Sequence, residues 1–232
     1  MPAWTVKNAW TANTIQTYRN YAGTNGPHRA GNLRSTCEDL SIRMVVDFAE
    51  QHGLPVFFGN NSNPQGLDPA KYNSKAAYLD AVLPSTGASD LLTYNTVVMV
   101  KGAQKGNANV SLPLAKPGDL IILYAGGGHV QVVTSVSPGK VNIVQGNFRP
   151  SSERCNVLKR KWYGLDQNDP SSSCYIGAIV AQVSYVRSGT PPKWLFGGNR
   201  DVFSDEGRLC IWDFNSWNNF VPNFNPAKAT TP

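Results

Sequence analysis

The stretch Arg34-Ser-Thr-Cys-Glu-Asp-Leu-Ser-Ile-Arg-Met-Val-Val-Asp-Phe-Ala-Glu-Gln-His-Gly53 decides how this chain is read. It has the marks of a helix with a cysteine in its first turn. Ser35 or Thr36 suits the N-cap, where a hydroxyl accepts from the free backbone N–H groups of the first turn. Glu38 and Asp39 sit at the positive end of the macrodipole. Cys37, Leu40, Met44, Val45, Phe48 and Ala49 recur at helical spacing and form one apolar stripe. Gly53 fits the left-handed residue that stops a helix, and Pro55 prevents continuation. Cys37 therefore lies at a helix N-terminus, beside a face that must be buried. Backbone N–H groups there favour a thiolate, while the carboxylates of Glu38 and Asp39 disfavour one. A small core thiol is the plain reading of such a residue unless a partner is found.

Downstream, Lys116-Pro117-Gly118-Asp119 reads as a tight turn into the apolar strand Leu120–Tyr124. Gly126-Gly127-Gly128 precedes His129, which opens an alternating, β-branched strand through Val136. Ser137-Pro138-Gly139 turns the chain, and Lys140–Gln145 forms the next strand, running into Gly146-Asn147. Tyr175–Val186 reads as a further strand. Upstream, residues 12–22 suit a helix ending at Gly23, with Thr24–Gly31 as a loop. Residues 56–67 read as loop and 69–83 as a helix. Asp90–Tyr94 suits a helical turn and Thr96–Val100 a strand. The expected fold is α+β, with N-terminal helices, one of them bearing Cys37, packed on a small antiparallel sheet.

A nucleophilic cysteine needs a base, and the base needs an orienting group. His28 lies in the expected loop before the cysteine helix. His52 lies at the far end of that helix, roughly 20 Å from Cys37 at 1.5 Å per residue. His129, with glycines that leave room around it, is the candidate base. Gln145 and Asn147, two apart on the next strand, share one face. A two-residue turn at Pro138-Gly139 would pair His129 with Phe148 and turn both amides away. A three-residue turn, or a bulge, would put both on the His129 face.

A cysteine at a helix start, then Pro-Gly-Asp-Leu-Ile-Ile-Leu (117–123), Gly-His-Val-Gln-Val-Val (128–133) and Val-Asn-Ile-Val-Gln-Gly-Asn (141–147), resembles the NlpC/P60 and CHAP superfamily of papain-like cysteine amidases and peptidases. The resemblance covers about residues 30–148. The Asp-Cys-Ser-Gly usual in that family is replaced by Thr36-Cys37-Glu38-Asp39. In CHAP domains a Glu and an Asn follow the histidine strand, where Gln145 and Asn147 stand here. The resemblance implies a papain-like fold and hydrolysis of amide bonds in the peptide part of bacterial peptidoglycan. Cys37 would be the nucleophile, His129 the base and Asn147 or Gln145 the orienter, with the Cys37 backbone N–H helping to hold the oxyanion.

Length and composition set the frame. At 232 residues the chain can bury a core without staples. With 41% hydrophobic and 16% charged residues it is globular and not disordered. Its net charge of +6 suits anionic surroundings such as a wall polymer. The densest basic cluster, Lys159-Arg160-Lys161, comes with no nucleic-acid motif, so no nucleic-acid partner is expected. The chain has no apolar run of membrane-spanning length, and its first residues do not form a secretory signal peptide. Synthesis in a bacterial cytoplasm, with export to the wall or periplasm of a target cell, is the expectation. Four cysteines and three histidines form no metal pattern, so no cofactor is expected. Cys155 and Cys174 could bridge the stretch between them or remain two thiols.

The expected organisation is a hydrolase domain over residues 1–186, with 57–111 an insertion shaping the cleft. Residues 187–232 would form an aromatic-rich C-terminal extension. An antibacterial effector, monomeric and met by an immunity protein, is the leading setting; a phage-type lysin is the second. A papain-like protease or deamidase toxin acting on a protein is another alternative. So is a non-enzymatic binding protein that uses the aromatic tail.

Overall fold

The computed structural model describes residues 2–33, 35–99, 111–123, 129–148, 179–198 and 207–220. Among these the chain is mixed α and β, with two N-terminal helices and antiparallel sheets.

Helix α1 spans Ala12–Arg29 and α2 spans Cys37–His52. Thr36 is the N-cap of α2, and its hydroxyl accepts from the Asp39 N–H at 3.3 Å. Replacing such a cap with alanine costs about 1 kcal/mol. Gly53 ends the helix in the left-handed region, with φ of 60°. The apolar stripe broadens to include Ile42 and Val46, both fully buried. Each large side chain so buried contributes about 1.5–3 kcal/mol.

Helix α1 runs past Gly23 and Gly26, contrary to the expectation that it stops at Gly23. These glycines serve packing. A Cβ at Gly26 would meet Thr134 Cγ2 at 2.6 Å, and one at Gly23 would lie 3.1 Å from the Thr134 carbonyl oxygen. The helix can therefore lie close on the strand below it. At its end Arg29 donates to Asp47 on α2 at 2.8 Å, and Asp47 also meets Lys75 at 3.1 Å.

The expected loop 56–67 contains a hairpin, β1 (Phe58–Asn60) and β2 (Asn63–Leu67). The Asn60 side chain closes its turn by accepting from the Ser62 and Asn63 N–H groups. The expected helix 69–83 is divided into a 3-10 turn at Pro69–Lys71, helix α3 (Lys75–Val82) and a second 3-10 turn at Leu83–Ser85. Ala88–Asp90 and Leu91–Asn95 form helical turns.

The main sheet has seven antiparallel strands. They are β3 (Thr96–Val98), β4 (Leu120–Leu123), β5 (His129–Ser137), β6 (Lys140–Phe148), β7 (Ile179–Ser188), β8 (Lys193–Phe196) and β9 (Gly207–Trp212). Their spatial order is β3-β9-β4-β5-β6-β7-β8. Alternation along the strands gives two apolar layers. Leu120, Ile122, Val130, Val132 and Val144 join α1 and α2 in the larger core. Ile121, Val133, Ile143 and Tyr185 build a smaller core on the opposite face with Leu112, Ala115 and Trp194.

The described part of 187–232 belongs to this architecture. It supplies β8, β9 and a helix at Phe214–Asn219, and Trp212 and Trp217 are 1% exposed. Three indoles converge on residues 54–57. Trp4 donates to the Leu54 carbonyl, Trp10 to that of Pro55 and Trp217 to that of Phe57, at 2.7–2.9 Å. Asn218 clamps Trp10 on both backbone groups, accepting from its N–H and donating to its carbonyl. The described part of 57–111 also packs inward, with Phe58, Tyr78, Leu79 and Leu91 in the larger core. No helix among the described residues is long and apolar enough to cross a membrane.

Candidate active site

The β5–β6 hairpin closes on the two-residue turn Pro138-Gly139, with Ser137 opposite Lys140. That turn alone would point Gln145 away from His129. A bulge intervenes: Val133 pairs with Ile143 and Ser135 with Asn142, so Thr134 is extra. The parity shifts by one, and beyond it Val132 faces Val144. The bulged residue is the one lying under the α1 glycines, where only small residues admit it. Helix packing and strand register are therefore settled at one point.

With this register His129 Nε2 lies 2.7 Å from Gln145 Oε1. The same oxygen accepts from Gln131 Nε2 at 2.8 Å, and Gln131 Oε1 accepts from the Tyr185 hydroxyl at 2.8 Å. Gln131, Gln145 and Tyr185 are all buried, so these bonds are worth more than surface ones. An imidazole that donates from Nε2 carries its bare nitrogen at Nδ1. The bonds run from β7 across β6 to β5. Gln131 was not a sequence candidate. Its position, two residues from His129 on the same strand face, was the available signal.

Asn147 lies on β6, two residues beyond Gln145, and its side chain lies outside the described residues. Cys155 and Cys174 also lie outside them. His28 is in the last turn of α1, not in a loop, and His52 is at the far end of α2, where its ring stacks on Phe48.

Cys37 is the first residue of α2 and is 3% exposed. Gly146, between Gln145 and Asn147, permits this placement. A Cβ at Gly146 would fall on the carbonyl oxygens of Ser35 and Thr36, closer than real Cβ atoms come. The start of α2 is thus pressed onto β6 beside Gln145. β5–β6 pairing stops nearby, at Val132 and Val144. The backbone N–H groups of Val130, the residue after His129, and of Glu38 act on the thiol in the direction of a lower pKa.

The thiol's single proton is given to Glu38 Oε2, 2.8 Å away. Burial pushes the Cys37 pKa well above the ordinary thiol value. The Glu38 charge and hydrogen bond add to this, and the two backbone N–H groups only partly oppose it. The resting group is a neutral thiol. Helix geometry leaves the Cys37 N–H without an intrahelical acceptor. Among the described residues no group of three or more His, Cys, Asp or Glu could hold a metal ion.

Comparisons with protein-family models, with curated proteins and with solved structures find no match to this chain.

Proposed function

We propose that this chain is a papain-like cysteine amidase that cleaves amide bonds in the peptide part of bacterial peptidoglycan. The observation that carries the reading is the setting of His129. Its Nε2 is held by Gln145, while the N–H of the next residue, Val130, lies close enough to the Cys37 thiol to favour its charged form. A buried amide on the imidazole, beside a cysteine at a helix start, provides the nucleophile, base and orienter that acyl transfer needs. The NlpC/P60 and CHAP resemblance supplies the substrate class, and the net charge of +6 suits an anionic wall.

In this mechanism the thiol hydrogen bond moves from Glu38 to His129 Nδ1, and sulfur attacks the scissile carbonyl as the proton passes to the ring. The tetrahedral oxyanion is held by the Cys37 backbone N–H. Collapse breaks the C–N bond, and the imidazolium protonates the leaving amine. Water, deprotonated by His129, then attacks the thioester, releasing a carboxylate and restoring the thiol. The Gln145 carbonyl accepts from Nε2 throughout, a neutral counterpart to the carboxylate of other triads. Delivery to a target cell as an antibacterial effector, with an immunity protein covering the site in the producer, is the setting that fits this chemistry; a phage-type lysin is the other.

A second reading rests on the burial of Cys37 and its bond to Glu38. These also suit a structural thiol in a binding protein. Digestion of purified peptidoglycan by wild type and by Cys37→Ala separates the two. The proposal expects defined muropeptide fragments from wild type and none from Cys37→Ala, with fragment masses naming the bond. Equal results from both proteins would remove it.

A further inference from the structure

The geometry points to Tyr185 and Gln131 as positioning residues that fix the tautomer of His129 through the Gln145 amide. The consequence for catalysis rests on His129 being the base proposed above; the tautomer itself does not.

The argument is one of hydrogen-bond direction. A chain of two amides between a phenol and an imidazole can run two ways. In the direction present, the Tyr185 O–H donates to Gln131 Oε1, and Gln131 Nε2 donates to Gln145 Oε1. Gln145 Oε1 then accepts from His129 Nε2, which must carry the hydrogen. In the reverse direction both amides flip. The Tyr185 oxygen accepts from Gln131, Gln131 accepts from Gln145, and Gln145 donates to a bare Nε2. The hydrogen then resides on Nδ1, and no basic nitrogen is left for a thiol.

Only the direction present survives protonation of the ring. An imidazolium donates from both nitrogens. With Gln145 Oε1 facing it, nothing need move as Nδ1 takes a proton. With the amide flipped, two N–H groups would confront each other in a site where Gln145 is 5% exposed. Such an unmade buried bond is costly.

At the far end of the chain the Tyr185 hydroxyl donates to Gln131, which aims the Gln131 amide nitrogen at Gln145. Tyr185 is 0% exposed and Gln131 is 1% exposed, so each polar atom must find its partner within the protein. Burial also pushes the Tyr185 hydroxyl above its ordinary value, which keeps it protonated wherever an enzyme works. The ring is fixed in turn by the smaller core, where it lies 5.4 Å from Phe196. Tyr185 thus acts on His129 across two strands without touching it, as a positioning residue and not a catalytic one.

The test reads the tautomer directly. Long-range ¹H–¹⁵N NMR is recorded at about pH 8.5, some two units above the usual histidine value, so that the rings are neutral. A His129→Gln sample assigns the signal among the three histidines. Wild type should show His129 with hydrogen on Nε2. Tyr185→Phe keeps the ring and removes the hydroxyl, and should give a mixture of tautomers. Gln131→Met, close in size, should do the same. On peptidoglycan, kcat of each variant should fall about tenfold with KM unchanged, a loss confined to the chemical steps. Thermal melting identifies any variant that does not fold, and the other then decides. A wild-type ring with hydrogen on Nδ1 overturns the inference, as does a folded variant that keeps the Nε2–H tautomer and full kcat. A wild type that does not digest peptidoglycan fails the proposed function, and the NMR result alone then decides the role of Tyr185.

Discussion

At the thiol end of the site, Cys37 sits at a helix start whose cap, apolar stripe and stop all lie within residues 36–53. At the imidazole end, His129 is held by residues on three strands that span more than fifty positions of sequence. The thiol end is built from local rules and holds a group in its unreactive form, bonded to an adjacent carboxylate. The imidazole end is built from long-range register and holds a ring by its Nε2 against the Gln145 amide oxygen. Burying a thiol therefore does not activate it; in the proposed mechanism activation depends on the other end.

The two ends meet at Gly146, and the largest effect is expected there. Gly146→Ala puts a Cβ on the Thr36 carbonyl. Either α2 lifts from β6 or the strand shifts, at an expected cost of about 3 kcal/mol. Chemical denaturation should show that loss, together with loss of peptidoglycan digestion. A Gly146→Ala protein of wild-type stability would show that the contact between the two ends is not tight.

Breaking the imidazole end alone should spare the fold. Gln145→Leu removes the acceptor shared by His129 and Gln131. A rate loss of about 10³-fold is expected, less than the roughly 10⁴-fold that follows loss of a charged orienter from a triad, because the Gln145 amide is neutral. Alkylation of Cys37 in that variant should change little, because the thiol proton is held by Glu38. Parallel loss of both would mean that thiol and imidazole already share a proton at rest.

The smallest effect sharpens the thiol end. Glu38 raises the Cys37 pKa after burial does, through its charge and its hydrogen bond. Glu38→Gln removes the charge, so the folded thiol pKa should fall toward its ordinary value while remaining raised by burial. The thiolate fraction at neutral pH then rises, and iodoacetamide alkylation should quicken by about tenfold for each unit of decrease. In wild type the alkylation rate should still be climbing above pH 9, the ordinary thiol value. A rate that is level from pH 7 upward would contradict a neutral resting thiol.

The same contrast explains what was legible beforehand. Thr36, Gly53 and the stripe from Leu40 to Ala49 announce α2, because caps and periodicity act within one or two turns. The β-branched alternation of 129–136 announces β5 equally well. Gly23 misled, because glycine reads locally as a helix stop, whereas here it and Gly26 make room for a bulge more than a hundred residues away in sequence. Asn60 and Gly66 misled in another way, resembling loop residues while forming the turn and a left-handed position, φ of 89°, in the β1–β2 hairpin. The bulge at Thr134 decides whether Gln145 reaches His129, and nothing local marks it. Gln131 drew no notice in an alternating strand, since a buried amide differs from a solvated one only through partners such as Tyr185. Trp212 and Trp217 carried no periodicity because their partners, the Tyr18 hydroxyl and the Phe57 carbonyl, lie far away in the chain.

Strand β9 lies between β3 and β4, although it is the last in sequence among the described strands. During synthesis, therefore, β4 has no native neighbour on one side, and β3 has none at all, until residue 212 has left the ribosome. Two apolar edges stay open through most of translation, and such edges invite pairing with other chains. Closing them requires contacts that span most of the polypeptide, a topology associated with slow folding. The chemistry-bearing residues on α2, β5 and β6 are therefore made well before the sheet that carries them is closed.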